Sequence, residues 1–385
     1  MDNYRQLVNS RFKMTNSSWG KLNTSNSDVI AALNRSDNSF RAFSAAFKAR
    51  LQRLSSVYKP GTRNYNKLLR QVKLIADAHN WKGAYSELAA YDYFHHSLKS
   101  NDVKFEPMDL TCKVPSSDTF APGLGSTGNA DLDGHFSQGD VYTDIKSLKD
   151  VVTELLESVA RDAARKLQVT GLVVLPQYPA GLDYAIVQDY RDKLVNELIT
   201  AIESGDQPAF VQSKLIEGLS YRLGWKAGVT FSEREIDPYE AAAAYHQLVF
   251  GYANKFTLHK PFLLVLVAFD WFHSAPNDFS DYDLKFYRAF ARRVFMQYMH
   301  SSRRFVEVNP RFTGDETIFD VTRKIGGILF LRDRCVTAKC PELTNVDAYM
   351  YWNPNAEHSL INNKFREYLL AHELEMVDGF RGDVY

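Results

Sequence analysis

The sequence predicts an α/β (α+β) protein with a mixed central sheet flanked by helices. Its second half alternates apolar runs of strand length with segments of helical periodicity, an order typical of strands joined by helical crossovers. Hydrophobic residues make up 45% of the 385 positions and aromatic residues 13%, which supplies a large core and excludes an intrinsically disordered chain. A chain of this length is enough for two or three domains.

Residues 1–80 are predicted to form a basic helical region. Apolar residues recur at helical spacing from Ser27, a candidate N-cap, to Val57, and a second helix is predicted over 65–79. The region holds 14 basic and 4 acidic side chains, although the whole chain has 46 of each. Its charge of +10 is therefore balanced by −10 in the remainder. This asymmetry indicates either a face for a polyanion or a basic face that docks on the acidic body.

Residues 81–385 are predicted to form one domain with a helical insertion at about 170–255. The domain opens with a helix over 82–98 that carries Glu87 among Ala, Leu and Tyr. Further helices are predicted from Thr153 and over 182–202, 210–223, 239–253 and 282–299. Strands are predicted over 103–108, 130–136, 141–148, 262–269, 325–331 and 348–352. A Ser-Gln-Gly-Asp turn joins the second and third of these strands as a hairpin.

Cysteine content and hydropathy predict a cytoplasmic protein without a membrane partner. The three cysteines, Cys112, Cys335 and Cys340, exclude a disulfide framework and lack the spacing of a structural zinc site. No apolar signal segment opens the sequence, and the apolar run 261–269 is about half of a membrane span.

Two acids and a lysine in the predicted hairpin suggest phosphodiester chemistry. Asp144 and Lys146 lie two apart on one strand, so their side chains share a face, and Asp131 begins the partner strand. Two carboxylates in a half-buried sheet call for a divalent cation, to which the Ile145 carbonyl can add a ligand. Magnesium or manganese bound there activates water, and a lysine stabilises the hydroxide. Asp133 shares the strand face of Asp131, so alternation allows either; Asp131 is preferred because it begins the strand.

These residues resemble the PD-(D/E)xK nucleases, which have a restriction-endonuclease-like fold. The resemblance covers 82–148 and extends more loosely to 325–356. It implies that Asp131 and Asp144 bind the metal, that Lys146 is the catalytic lysine and that Glu87 assists the metal or water. A helix with the sequence AAAAYHQLVF resembles the family helix that places a glutamine at the site, which makes Gln247 a further candidate. Two departures from the family pattern are Ala130 in place of Pro and Asp144 in place of the commoner Glu.

The resulting hypothesis is a metal-dependent endonuclease that acts on nucleic acid, with DNA favoured over RNA, in restriction or phage defence. Backbone contacts are expected from basic side chains of the N-terminal helices and of a later helix: Arg41, Lys48, Arg50, Arg53, Lys67, Arg70, Lys73, Arg292 and Arg293. The chain contains no recognisable helicase or ATPase motif, which favours a homodimer or partner proteins of a defence system. The alternative is a catalytically inactive nuclease-like protein that binds a partner through its basic N-terminal helices.

Overall fold

The computed structural model describes residues 2–13, 19, 27–34, 38–77, 80–96, 106–125, 127–148, 151–169, 173–178, 182, 184–204, 210–224, 237–269, 280–369, 372–375 and 380. The chain divides into two compact units, one made of Met1–Leu148 with Gln247–Tyr385 and the other of Lys149–His246. The first 80 residues thus belong to the same unit as the central sheet, and the second unit spans most of the predicted insertion.

The described helices are α1 (Asp2–Phe12), α2 (Asp28–Leu33), α3 (Asn38–Ser55), α4 (Arg63–Leu74), α5 (Trp81–His96), α6 (Val151–Lys166), α7 (Tyr184–Glu203), α8 (Pro238–Tyr245), α9 (Ser280–Met296), α10 (Ile318–Thr322) and α11 (Lys364–Tyr368). The described strands are β1 (Lys113–Pro115), β2 (Asn129–Asp131), β3 (Gly134–Phe136), β4 (Val141–Ser147), β5 (Val173–Gln177), β6 (Phe210–Gln212), β7 (Ser220–Gly224), β8 (Phe262–Phe269), β9 (Gly327–Asp333), β10 (Val346–Trp352) and β11 (His372–Glu375). A 3₁₀ segment, His246–Lys255, follows α8.

The larger unit contains a mixed sheet in the order β11-β10-β9-β8-β4-β3. Strands β4, β8 and β9 are parallel to one another, whereas β3 pairs with β4, and β10 with β9, in antiparallel fashion. The predicted α+β class with a mixed sheet is therefore confirmed.

Helices cover both faces of this sheet, which explains the unbroken apolar sequences of β8 and β9. On one face Tyr85 of α5 packs edge-on against Phe269 of β8, with ring centroids 5.3 Å apart. On the other face Tyr287 of α9 stacks on Phe330 of β9 at 4.4 Å. Burial of β8 and β9 on both faces gives the sheet a rigid centre, and β4 lies directly beside it.

The smaller unit is not purely helical, which differs from the predicted insertion. Besides α6 and α7 it holds a three-stranded antiparallel sheet in the order β5-β7-β6. The prediction of a helix over 210–223 is wrong, because this segment forms β6, a turn and β7. Gly218 adopts a left-handed φ of 76° in the turn, and the buried residues Leu219, Tyr221 and Leu223 then alternate with period two, as in a strand.

Other boundaries differ in detail from the predicted ones. The helix predicted from Ser27 to Val57 appears as α2 and α3, and residues 35–37 between them lie outside the described residues. Of the strand predicted over 103–108, residues 103–105 are also outside them, and 106–108 form no strand. None of the described helices is long and apolar enough to cross a membrane.

Candidate active site

The hairpin of β3 and β4 places two aspartates opposite each other. Gly134 pairs with Thr143, and the Asp133 N–H donates to the Thr143 carbonyl at 3.2 Å, so Asp133 extends the hairpin towards Asp144. The Asp133 carboxylate accepts a 3.0 Å hydrogen bond from the Ile145 N–H. Both aspartates are buried, Asp144 completely. The end of the hairpin thus holds two carboxylates in a small volume that is largely shielded from water.

Lys146 lies on the same face of β4 as Asp144, as the period of a strand requires. Its Nζ atom is 2.6 Å from Asp144 Oδ2 and 3.6 Å from Asp133 Oδ2. The ammonium also lies 5.7 Å from the ring centroid of Tyr252, a cation–π contact. One lysine therefore bridges both aspartates while its side chain keeps about a quarter of its surface exposed.

Helix α5 contributes an acid and a phenol to the same cluster. Glu87 and Tyr91 are one helical turn apart, and the Tyr91 hydroxyl donates to Glu87 Oε2 at 2.8 Å. The same hydroxyl lies 3.3 Å from the Asp133 carbonyl. Tyr91 therefore ties the helix acid to the start of the hairpin.

Lys67 reaches the cluster from α4. Its Nζ atom lies 3.6 Å from Glu87 Oε2 and 3.7 Å from Asp133 Oδ1. The acids of the site thus face two ammonium groups, Lys67 at one end and Lys146 at the other.

Burial and mutual repulsion separate the pKa values of the three acids. Burial raises the pKa of Glu87 to about 8, and the charge of Asp133 adds to the shift. Burial likewise raises the pKa of Asp144 to about 7, with Asp133 again the next cause. Burial opposes ionisation of Asp133 too, but Lys146, a hydrogen bond from the Asp144 carboxyl and the Ile145 N–H outweigh it and lower the pKa of Asp133. Asp133 is therefore the carboxylate that stays ionised, beside two acids that retain protons near neutral pH.

The donor atoms of the site are oxygens, the ligand type that a hard divalent cation takes. Neither Asp144 oxygen accepts a well-directed hydrogen bond from a described residue, although both oxygens are buried. The N–H and C=O groups of a strand residue point to the same neighbour, so the Ile145 carbonyl faces the side of Asp133. No set of three or more His, Cys, Asp or Glu side chains among the described residues is arranged to hold a metal ion. Magnesium needs fewer protein ligands than such a set provides, because it is bound through one or two carboxylates and retains water.

Asp131, the preferred metal ligand of the sequence analysis, lies apart from this cluster. Its strand β2 pairs with β1 rather than β4, and its carboxylate lies 3.5 Å from Lys113 with 71% of the side chain exposed. The prediction that Asp131 approaches Asp144 is wrong. The strand is interrupted between β2 and β3, and the hairpin begins at Asp133. The structure brings together Glu87, Asp133, Asp144 and Lys146.

Gln247 also lies apart, since it is exposed and its side chain hydrogen-bonds to Tyr298. Sequence reasoning missed Tyr91, although its position four residues after Glu87 is a usable signal. It also missed Lys255, whose ammonium donates to the Asp131 carbonyl and whose charge opposes the upward pKa shift of Asp144. No local pattern points to Lys255.

The residues predicted to contact nucleic acid differ in how deeply they are buried. Arg50 is fully buried, where it pairs with Asp92 at 3.4 Å and with Asp333, and Arg53 donates to both Asp92 oxygens at 2.8 and 2.6 Å. A surface role for Arg50 is therefore wrong, and Arg53 is committed to the same network. Three of the other predicted residues are exposed, namely Arg41, Lys48 and Arg70. Another four are partly buried, namely Lys67, Lys73, Arg292 and Arg293.

Comparison of the chain with protein-family models, curated proteins and solved structures finds no match.

Proposed function

We propose that this protein is a metal-dependent nuclease of the PD-(D/E)xK type that hydrolyses phosphodiester bonds of nucleic acid. The observation that carries the proposal is the position of Lys146, 2.6 Å from Asp144 and 3.6 Å from Asp133 at the end of a buried hairpin. A lysine shared by two buried carboxylates brings metal ligands and a cation to one place, which suits metal-assisted hydrolysis of a phosphodiester.

Each residue has a distinct task in this proposal. Asp133 and Asp144, with the Ile145 carbonyl, would hold a magnesium or manganese ion, which would polarise the scissile phosphate and acidify a bound water. Lys146 orients the attacking oxygen and neutralises charge that develops on the phosphate. Glu87 has a pKa of about 8 in the metal-free protein, so it can exchange a proton near neutral pH. Tyr91 holds the Glu87 carboxyl in place.

The order of elements supports a restriction-endonuclease-like core. Helix α5 supplies the acid, the β3–β4 hairpin supplies the aspartates and the lysine, and β8 lies parallel to β4 in the sheet. With Asp133 in place of Asp131, the spacing of the aspartates still matches what the nuclease chemistry needs: one carboxylate at the start of the hairpin and one two residues before Lys.

The substrate is proposed to be DNA in preference to RNA, held by its phosphate backbone. Exposed cations on α3 and α4, Lys48 and Arg70, belong to the unit that contains the acid cluster. Contacts to phosphates bind without regard to sequence and weaken as salt is added.

A cleavage assay tests the proposal. Purified protein is incubated with supercoiled DNA, linear DNA and RNA in magnesium, in manganese and in chelator. We expect cleavage only with metal, and its loss in Asp144→Asn. Asp347→Asn is the matched control, since Asp347 pairs with Arg334 elsewhere on the sheet. Absence of cleavage under all conditions favours the inactive binding protein instead, whereas equal cleavage by Asp144→Asn shows that the activity does not come from this site.

A further inference from the structure

Lys67 occupies the part of the acid cluster that faces α4. Its ammonium is 3.6 Å from Glu87 Oε2 and 3.7 Å from Asp133 Oδ1, distances of ion pairs rather than of short hydrogen bonds. Helix α4 is fixed by its buried residues Tyr65, Leu68 and Val72 and by the Thr62 N-cap. The stem of Lys67 therefore starts from a rigid point, and its ammonium reaches into the site.

The two lysines of the site are held differently. Lys146 is 2.6 Å from Asp144 and contacts the Tyr252 ring, so its position is set on two sides. Lys67 makes only the two longer contacts with acids among the ion pairs described, while its side chain is about as exposed as that of Lys146, at 23% against 26%. A flexible lysine stem with an exposed part can carry its charge out into solvent. Lys67 is thus the lysine whose ammonium can move out of the acid cluster.

Charge balance decides what happens when a metal arrives. Lys67 and Lys146 are not the only cations that act on the site, because the charge of Lys255 also opposes the upward pKa shift of Asp144. A divalent ion added beside these ammonium groups places like charges a few ångströms apart in a buried site, which is costly. If Lys67 leaves as the ion enters, one positive charge is removed from the cluster.

We propose that Lys67 is an internal cation that competes with the divalent metal for Asp133 and is displaced when the metal binds. The proposal rests on the metal-dependent function proposed above. It assigns to Lys67 a role in setting metal affinity, in place of the nucleic-acid contact expected from the sequence.

The test measures metal binding without nucleic acid. Manganese is titrated into chelator-stripped protein, and the free ion is followed by its electron paramagnetic resonance signal. Removal of a competing charge should tighten binding, so we expect Lys67→Met and Lys67→Gln to bind manganese roughly tenfold or more tightly than wild type. Lys67→Arg keeps the charge and should stay near wild type. Arg63→Met removes an exposed charge from the first turn of the same helix and should also leave affinity unchanged.

Asp133→Asn shows whether manganese binds at the acid cluster, because this change should abolish the tight binding both in wild type and in each Lys67 variant. Suppose that wild type binds manganese at Asp133 and that both neutral Lys67 variants bind it no more tightly than wild type. That result overturns the role of Lys67 and leaves the proposed nuclease function intact. If none of the proteins binds manganese through Asp133, the metal-dependent function fails together with this inference. Circular dichroism of each variant establishes that it is folded.

Discussion

Lys146 Nζ lies 2.6 Å from Asp144 Oδ2, two residues away on the same face of β4. This ion pair is buried on the Asp144 side and partly open on the Lys146 side. An ammonium in such a position can contact a phosphate or a water that enters from the open side, while the Asp144 carboxylate is held inside the sheet. The relationship makes Lys146 the most direct target for mutation.

Lys146→Met should reduce cleavage on the order of 10²–10³-fold, because it removes the group that stabilises charge in the transition state. Manganese binding should persist, since the carboxylates remain. Lys146→Arg should recover part of the rate. Lys113→Met is the control, because Lys113 pairs with the exposed Asp131. Initial rates on a labelled duplex measure the effect, and a Lys146→Met protein as fast as wild type contradicts the assigned role.

The free energy of unfolding of the metal-free protein should fall between pH 6.5 and 8.0. Burial raises the pKa of Glu87 to about 8 and that of Asp144 to about 7. In this range the folded state keeps protons that the unfolded chain released near pH 4, so raising the pH favours unfolding. A loss of about 1–2 kcal/mol is expected, at up to about 1.4 kcal/mol per pH unit for each proton.

Urea unfolding in chelator at several pH values measures this slope. Glu87→Gln cannot ionise, so its slope should be clearly shallower. Glu307→Gln changes an exposed acid outside the cluster and should keep the slope of wild type. Identical slopes for wild type and Glu87→Gln would show that Glu87 does not retain a proton in the folded state.

Arg50 should prove to be a stability residue. Arg50→Met leaves the buried carboxylates of Asp92 and Asp333 short of a partner, which should lower the free energy of unfolding by about 3–5 kcal/mol. Lys48→Met, an exposed change on the same helix, should cost within about 0.5 kcal/mol. Urea denaturation compares the two. A neutral Arg50→Met would contradict the burial of this ion-pair network.

Nucleic-acid binding should weaken steeply with salt. If Lys48 and Arg70 each contact a phosphate, Lys48→Met and Arg70→Met should each reduce the slope of log affinity against log salt by about 1. Lys364→Met, on α11, is the control. Fluorescence anisotropy in chelator, with labelled DNA and RNA duplexes, gives the slopes and the preference between substrates. Unchanged slopes in both variants place the phosphate contacts elsewhere on the protein.

The placement of Asp144 and Lys146 on β4 could be predicted from the sequence, because it depends on neighbours two residues apart. Alternation alone assigns Asp144 and Lys146 to one face, and the apolar run of β8 alone predicts a buried strand. The same rule cannot separate Asp131 from Asp133, since both share a face. Their difference arises from pairing of β2 with β1, which ends before the hairpin begins.

Long-range partners account for the other errors. Arg50 resembles any basic residue of an amphipathic helix, and only its pairing with Asp333, 283 residues later, reveals that it is buried. Lys67 likewise meets Asp133 through the packing of α4 beside α5. In the smaller unit, the segment 210–223 carries apolar residues that fit both helical and strand periods. Sheet pairing with β5 decides between them.

The central claim is that Asp133, rather than Asp131, joins Asp144 and Lys146 in a metal-dependent phosphodiesterase site. Asp131→Asn and Asp133→Asn make the same chemical change on the same segment, two residues apart. Cleavage of a labelled DNA duplex is measured for both in magnesium and in chelator. We expect wild type and Asp131→Asn to cut only with magnesium and Asp133→Asn to be inactive. Cleavage by Asp133→Asn at the wild-type rate, or cleavage by wild type in chelator, would contradict the account.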